Sequence, residues 1–300
     1  GKIDKLNGSS FWQSSSWAGT AAAGIEDFLV EEGGRLGEVY GYKTDGFYTA
    51  DDFTFDAEKG TYALKAGVND CSSLIGGKVY PGSIKLKANE DGEYKKERLG
   101  NTVPTVSGGF GLNARWKGFD FTAFFNYSLG NKIVNATKLG SSFYSGSSKN
   151  WNINDHFTSA NRYSWIDPST GTNLLSSASI KANGEAWTIN RLNEVNTGSS
   201  IWNPAAATVM PLVDWAVEDG SFLRVNNITI GYTLPKLFVS KLNIQNIRIY
   251  VTGYNLHCFT KYSGTDPEVD CCTSTPMTPG IDYAAYPKSR SFVGGINVTF

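Results

Sequence analysis

Two histidines, His156 and His257, stand in 300 residues. Asp155-His156 has the form of half a catalytic or metal pair, but no cluster of further ligands accompanies it at zinc-site spacing. His156 therefore reads as a surface-loop histidine. No Gly-x-Ser-x-Gly elbow, phosphate-cradling glycine loop or paired-carboxylate motif stands out. The loop Lys87-Ala88-Asn89-Glu90-Asp91-Gly92-Glu93 follows the Asp-x-Asn-x-Asp-Gly calcium pattern except at its first position, which lacks the expected Asp. Calcium needs six or more oxygen ligands, so the alternative of a solvated acidic turn stands beside the calcium reading. The expectation is a chain without enzyme activity, metal or cofactor.

Four cysteines, Cys71, Cys258, Cys271 and Cys272, are too few for a disulfide framework and lack zinc-site spacing. The adjacent pair cannot close on itself without strain. A bridge from Cys71 to Cys271 or Cys272 in an oxidising compartment is left open. Residues 131–220 hold Trp151, Trp165, Trp187, Trp202 and Trp215 among many Asn and Ser. Aromatic faces beside amides suit sugars, whose C–H faces stack on rings while amides take the hydroxyls. They suit partner contacts equally. The competing reading is that these tryptophans pack the segment against itself or against another protein.

The elements that would position these residues are strands. Glycine numbers 33, aromatics make up 13 % and charged residues only 18 %, below the roughly 25 % of an ordinary soluble domain. A net charge of -1 offers nucleic acid no overall attraction. No run of about 18 apolar residues marks a spanning helix, which leaves β-barrels open because their strands carry only an alternating signal. The first ten residues are polar and lack the apolar core of a signal peptide, so a processed or truncated chain is expected.

In 291–300, Phe292, Gly294, Ile296, Val298 and Phe300 alternate with Ser291, Val293, Gly295, Asn297 and Thr299, about the length of a tilted barrel strand. Residues 105–116 and 119–129 alternate in the same way, joined by a turn at Lys117-Gly118, with Phe124 out of phase. Residues 222–234 and 247–260 form a second hairpin. Its first strand changes phase at Asn226-Asn227, which predicts a bulge, and its second places His257 at a lumen or rim position. A further pair is expected at 24–30 and 36–48, turning through 31–35. Short links at 31–35, 116–118 and 235–246 contrast with long ones at 49–104, 131–220 and 261–290. Such asymmetry is what an outer-membrane barrel shows. About seven strands cannot close a lumen, and open edges in lipid are costly, so other strands must complete the barrel.

The motifs resemble the C-terminal third of the SusC-type TonB-dependent transporters. The resemblance is carried by Gly37-Glu38-Val39-Tyr40-Gly41-Tyr42-Lys43-Thr44-Asp45-Gly46, by Pro81-Gly82-Ser83-Ile84-Lys85, and by Lys117-Gly118-Phe119-Asp120-Phe121 with Gly130-Asn131. It is strongest in Phe222-Leu223-Arg224-Val225-Asn226-Asn227-Ile228-Thr229-Ile230-Gly231-Tyr232-Thr233-Leu234-Pro235, in Asp266-Pro267-Glu268-Val269, and in Gly280-Ile281-Asp282-Tyr283.

The resemblance implies an all-β fold: part of a 22-stranded antiparallel transmembrane barrel with long extracellular loops. Residues 1–300 would be its C-terminal portion, and the plug and N-terminal strands lie outside this chain. It also implies TonB-dependent uptake of an oligosaccharide or peptide across the outer membrane of a Gram-negative bacterium. A SusD-type surface lipoprotein would act as lid, TonB would pull through the missing N-terminal part, and Phe300 would belong to the membrane-insertion signal. Loops 131–220 and 261–290 are the expected lid contacts. A passive structural barrel or porin is the alternative.

Overall fold

The structure, a computed structural model, describes residues 2–14, 26–144, 152–239, 244–268, 270 and 276–300. The chain divides into two compact units. One comprises Gly1–Gly100, Asn135–Val217 and Cys272–Thr278; the other comprises Asn101–Val134, Glu218–Cys271 and Pro279–Phe300.

The first unit is built from short strands. β1 (Phe11–Ser14), β2 (Glu26–Val30), β3 (Glu38–Gly41) and β8 (Glu97–Asn101) form a four-stranded sheet in the order β1-β2-β3-β8. β4 (Thr44–Phe47) pairs with β7 (Ile84–Leu86), and β5 (Phe53–Asp56) with β6 (Thr61–Leu64). The expected pairing of 24–30 with 36–48 is present, with Phe28 opposite Val39. It belongs to this small sheet rather than to long strands, and residues 24 and 25 lie outside the described set.

The long connections at 49–104 and 131–220 carry order of their own. Besides the short α1 (Ser72–Ile75) and α2 (Ala136–Gly140), the 131–220 segment contains α3 (Ser177–Val195). Ser176 caps α3 by accepting from the Ser179 amide, Gly184 (φ 79°) kinks it, and Asn196 ends it by donating to the Leu192 carbonyl. Ile180, Thr188 and Leu192 turn inward and join a core that includes Phe28, Tyr48, Phe53, Ile84, Leu139 and Leu174. Each large apolar side chain so buried contributes about 1.5–3 kcal/mol, enough to order segments rich in Ser, Asn and Gly.

The second unit is dominated by one antiparallel sheet. β9 (Val106–Trp116), β10 (Phe119–Leu129), β13 (Phe222–Thr233), β14 (Asn246–Thr260) and β16 (Ser291–Thr299) lie in the order β16-β14-β13-β10-β9. A smaller sheet sets β11 (Lys132–Asn135) between β12 (Val217–Asp219) and β15 (Ile281–Asp282). Lys117 (φ 45°) and Gly118 (φ 90°) make the two-residue turn from β9 to β10. Positive φ at both central positions matches the twist of the flanking strands. The link after β13 contains a single helical turn, α4 (Lys236–Val239). The bulge expected at Asn226-Asn227 is present: register steps from Val225↔His257 to Asn227↔Tyr254, leaving Asn226 unpaired.

Candidate membrane-spanning wall and its charged inner face

Register sorts the five long strands into two chemically distinct faces. One cross-strand row runs Trp116–Phe119–Tyr232–Ile249–Ile296, and another Leu112–Ala123–Ile228–Gly253–Phe292. Phe110 stacks on Phe125 with ring centroids 4.9 Å apart. Phe119, Phe121, Phe125, Phe292, Ile296 and Val298 all share this face, as the alternation predicts. It is open to the surroundings: Trp116 is 68 % exposed, Phe292 69 % and Ile230 55 %. A continuous apolar surface of this extent is the mark of an interaction face. His257 lies here, opposite Val225 with its ring 4.4 Å from Phe259. Of the two positions expected for it, lumen or rim, the lumen one is therefore excluded. Val225 in turn pairs with Phe125, which puts residue 257 on the face of Phe119, Phe121 and Phe125.

The opposite face is polar. Arg115, Asp120, Gly231, Tyr250 and Gly295 form one row, and Asn113, Thr122, Thr229 and Thr252 contribute to the next. Thr122 donates to the Asn113 side chain at 3.0 Å, and the Thr229 and Thr252 hydroxyls meet at 2.8 Å. Arg248 forks onto Asp120, with Nε at 2.9 Å and Nη2 at 2.5 Å from the two carboxylate oxygens. This fork passes over Gly231, where a Cβ would stand 2.5 Å from both Arg248 Nη2 and Asp120 Oδ1. Phe124, out of phase in the sequence, covers Gly109 and Gly111 on this face.

At the far end of β13 the polar face carries a buried charge cluster. Arg224 donates to Asp266 Oδ1 at 2.5 Å and through Nε to Glu268. Glu268 also accepts from Lys288 Nζ at 2.9 Å and from Asn126 at 3.0 Å. Arg224 and Asp266 side chains are almost fully buried, so each ion depends on its partners to offset desolvation. The cluster gives Asp266-Pro267-Glu268 a physical meaning: the two carboxylates clasp one guanidinium and tie residues 266–268 onto the polar face. In the same connection, Tyr262 donates to Asp282 at 2.6 Å, where burial first, then neighbouring acids, raise the Asp282 carboxyl above its ordinary range.

The described tryptophans of 131–220, Trp165, Trp187, Trp202 and Trp215, do not form one site. Trp151 lies outside the described residues. Trp202 and Trp215 pack edge to face at 5.0 Å, and Phe157 packs against both. Lys138 caps the Trp215 ring at 4.0 Å, and Trp202 donates to the Ser142 carbonyl at 3.2 Å. Both rings are thus engaged by neighbours within the unit. Trp187 is exposed on α3. Trp165 is half-buried, donates to the Pro81 carbonyl at 2.6 Å and lies 5.7 Å from the Tyr80 ring. His156 meets Trp215 edge-on at 5.8 Å.

Among the described residues no group of three or more His, Cys, Asp or Glu is placed to hold a metal. In the Lys87–Glu93 loop the Asn89 carboxamide oxygen accepts from the Asp91 and Glu93 amides at 3.1 and 2.8 Å, which makes it an Asx-type turn. Cys71 is buried as a free thiol, 3.4 Å from the Tyr48 hydroxyl; Cys271 and Cys272 lie outside the described residues. Phe300, next to β16, is 79 % exposed.

Arg224, Asp120 and Arg248 were missed as structural determinants. The signal available was a lone charge in each of three otherwise apolar or neutral strands.

An antiparallel sheet with one apolar and one polar, ion-paired face is a portion of a membrane-spanning β-barrel wall. No family model matches the chain. TonB-dependent receptor P3 of Formosa agariphila is 30% identical over 277 residues, covering 91% of this chain and 23% of that protein. TonB-dependent receptor SusC of Bacteroides thetaiotaomicron is 34% identical over 89 residues, 29% of this chain and 8% of that protein. The RagAB peptide importer in its "closed-closed" state shares the fold with TM-score 0.56 and 20% identity, over 98% of this chain and 25% of the solved one. Its "open-open" state gives TM-score 0.55 at 19% identity, over 100% and 25%. The chain belongs to the SusC-type TonB-dependent transporters. It spans about a quarter of the length of the first two relatives it matches, 23% and 26%.

Proposed function

We propose that the chain is the C-terminal part of the barrel of a transporter that takes up an oligosaccharide or peptide across the Gram-negative outer membrane, driven by TonB. The observation that carries this reading is the two-faced sheet: an apolar band suited to lipid backs onto a polar face whose charges are paired. In the whole protein a plug and further strands complete the barrel, and TonB acts through that remaining part. A SusD-type lipoprotein is the lid. It docks on the long connections, with 131–220 the main contributor because Asp266 and Glu268 hold part of 261–290 against the polar face. Phe300 forms part of the insertion signal.

The test is uptake of labelled oligosaccharides and peptides by cells expressing the full-length transporter with its lid lipoprotein. Accumulation is expected only with TonB and an energised inner membrane. Uptake that persists without either would make the protein a passive pore. Trimming 131–220 should release the lid, whereas altering 235–246 should not.

A further inference from the structure

The first unit carries a row of half-buried aromatic rings that neither its core nor the wall explains. Tyr62 stands on β6, opposite Phe55 of β5. Its ring centroid is 6.3 Å from that of Tyr80, and Tyr80 is 5.7 Å from Trp165, with successive ring planes turned by 57° and 44°. Each ring is held from behind. Phe53 and Phe55 pack on Tyr62 at 6.0 and 5.6 Å. Tyr80 opens a tight turn in which its amide donates to Ser83 Oγ and its carbonyl accepts from the Ser83 amide, both at 2.9 Å. The Trp165 indole N–H is satisfied by Pro81, so it does not call for a ligand.

One cation lies in the row. Lys78 Nζ sits 5.1 Å from the Tyr62 centroid and 5.0 Å from the Tyr80 centroid. Lys78 is exposed, and among the described residues no carboxylate forms an ion pair with it. Two ring faces orient the ammonium, which leaves its remaining donors for an anion from solvent.

We propose that Tyr62, Tyr80, Trp165 and Lys78 form a surface site for an anionic oligosaccharide, one whose sugars carry carboxylate or sulfate. The inference rests on the uptake reading and names the substrate chemistry within it. Consecutive flat faces, each rotated against the last, match a twisted chain of pyranose rings, whose C–H faces repeat along the polymer. The ammonium between two of those faces is placed to meet an acidic substituent at the sugar's edge. An acidic peptide would meet the same charge but offers no repeating face to the three rings.

The experiment is calorimetric binding of hexagalacturonate, of cellohexaose as neutral counterpart and of hexaglutamate to the full-length transporter in detergent. Hexagalacturonate should bind, more weakly as salt rises. Lys78→Gln should weaken it about fivefold at low ionic strength, the upper end for an exposed ion pair, and leave any cellohexaose binding unchanged. Tyr80→Ala should weaken it about tenfold. Trp165→Phe, which keeps a ring but removes the N–H, should stay close to wild type. The proposal is overturned if hexagalacturonate does not bind, if Lys78→Gln leaves its affinity unaltered, or if hexaglutamate binds as well and responds equally to Lys78→Gln. Energy-dependent uptake of some other nutrient would in each of those cases leave the uptake reading standing.

Discussion

Arg224 and Asp266, 42 positions apart in the chain, meet at 2.5 Å with both side chains buried. A long connection is thereby fastened to the middle strand of the sheet by charge rather than by apolar contact. Removing one member of such a pair leaves an uncompensated ion, at about 3–5 kcal/mol. Asp266→Asn in the full-length transporter should therefore lower its urea midpoint clearly, read from the mobility shift between folded and unfolded barrel in gels. Arg224→Lys should also destabilise, because a point charge cannot fork onto Asp266 and Glu268 together. A midpoint unchanged in both variants would remove the cluster from the list of stabilising contacts.

Two neighbouring positions in β13 test which face meets lipid. Ile228→Arg places a guanidinium on the apolar face near mid-strand and should cost about 2–4 kcal/mol. Thr229→Arg, one residue on, faces the other way. It should cost only about 1 kcal/mol for the lost Thr229–Thr252 hydrogen bond. The comparison is made by the folded fraction recovered in outer-membrane preparations, and equal losses would contradict the assignment of faces.

Gly231→Ala tests the crossing of the Arg248–Asp120 fork. The added methyl would stand 2.5 Å from both partners, so the pair must part or β13 must shift. Reduced folded barrel is expected, and removing the fork with Asp120→Asn and Arg248→Met in the same chain should make Gly231→Ala less damaging.

In the first unit, Asp167 accepts from Arg191 Nε at 2.7 Å and Nη2 at 2.8 Å. Arg191 first, then Ser169, hold its carboxyl well below the usual range. A depressed pKa adds stability that is present above the unfolded value of about 4 and lost as pH falls through the folded one. Asp167→Asn should therefore reduce amide protection in α3 at neutral pH. The difference from wild type should shrink steadily below about pH 4. A difference that grows on acidification would reverse the sign.

What the sequence made legible follows from periodicity. Strands that alternate, such as 119–129 with Phe124 its one exception, disclose both faces, and the phase change at Asn226-Asn227 disclosed the bulge. Burial that depends on partners far along the chain was not legible. Arg224 is ordinary text until Asp266 and Glu268 are folded against it. α3 was hidden because Ser, Asn and Gly occupy so many of its positions that Ile180 and Leu192 show no helical stripe by themselves. The tryptophans were legible as a group of residue types, but whether each packs or stays open is decided by neighbours such as Phe157, Lys138 and Tyr80.

The unpaired Asn226 gives β13 two reading frames. Ahead of it, even-numbered positions such as Arg224 face the polar side; after it, odd-numbered ones such as Thr229 do. Changes in strand length are therefore not interchangeable. Losing Asn226 alone would fuse the frames into one regular alternation that leaves Arg224 on the polar side and Ile228 on the apolar one, whereas gaining one residue between Arg224 and Val225, with 227–233 held in place, would carry Arg224 round to the side of Ile228 and away from its carboxylates. Losing Asn226 while gaining one residue between Arg224 and Val225 would keep the count and move only the point where the frame changes. Natural variation in this strand should accordingly include loss of the bulge residue by itself, whereas a single gain ahead of it should come with a compensating loss.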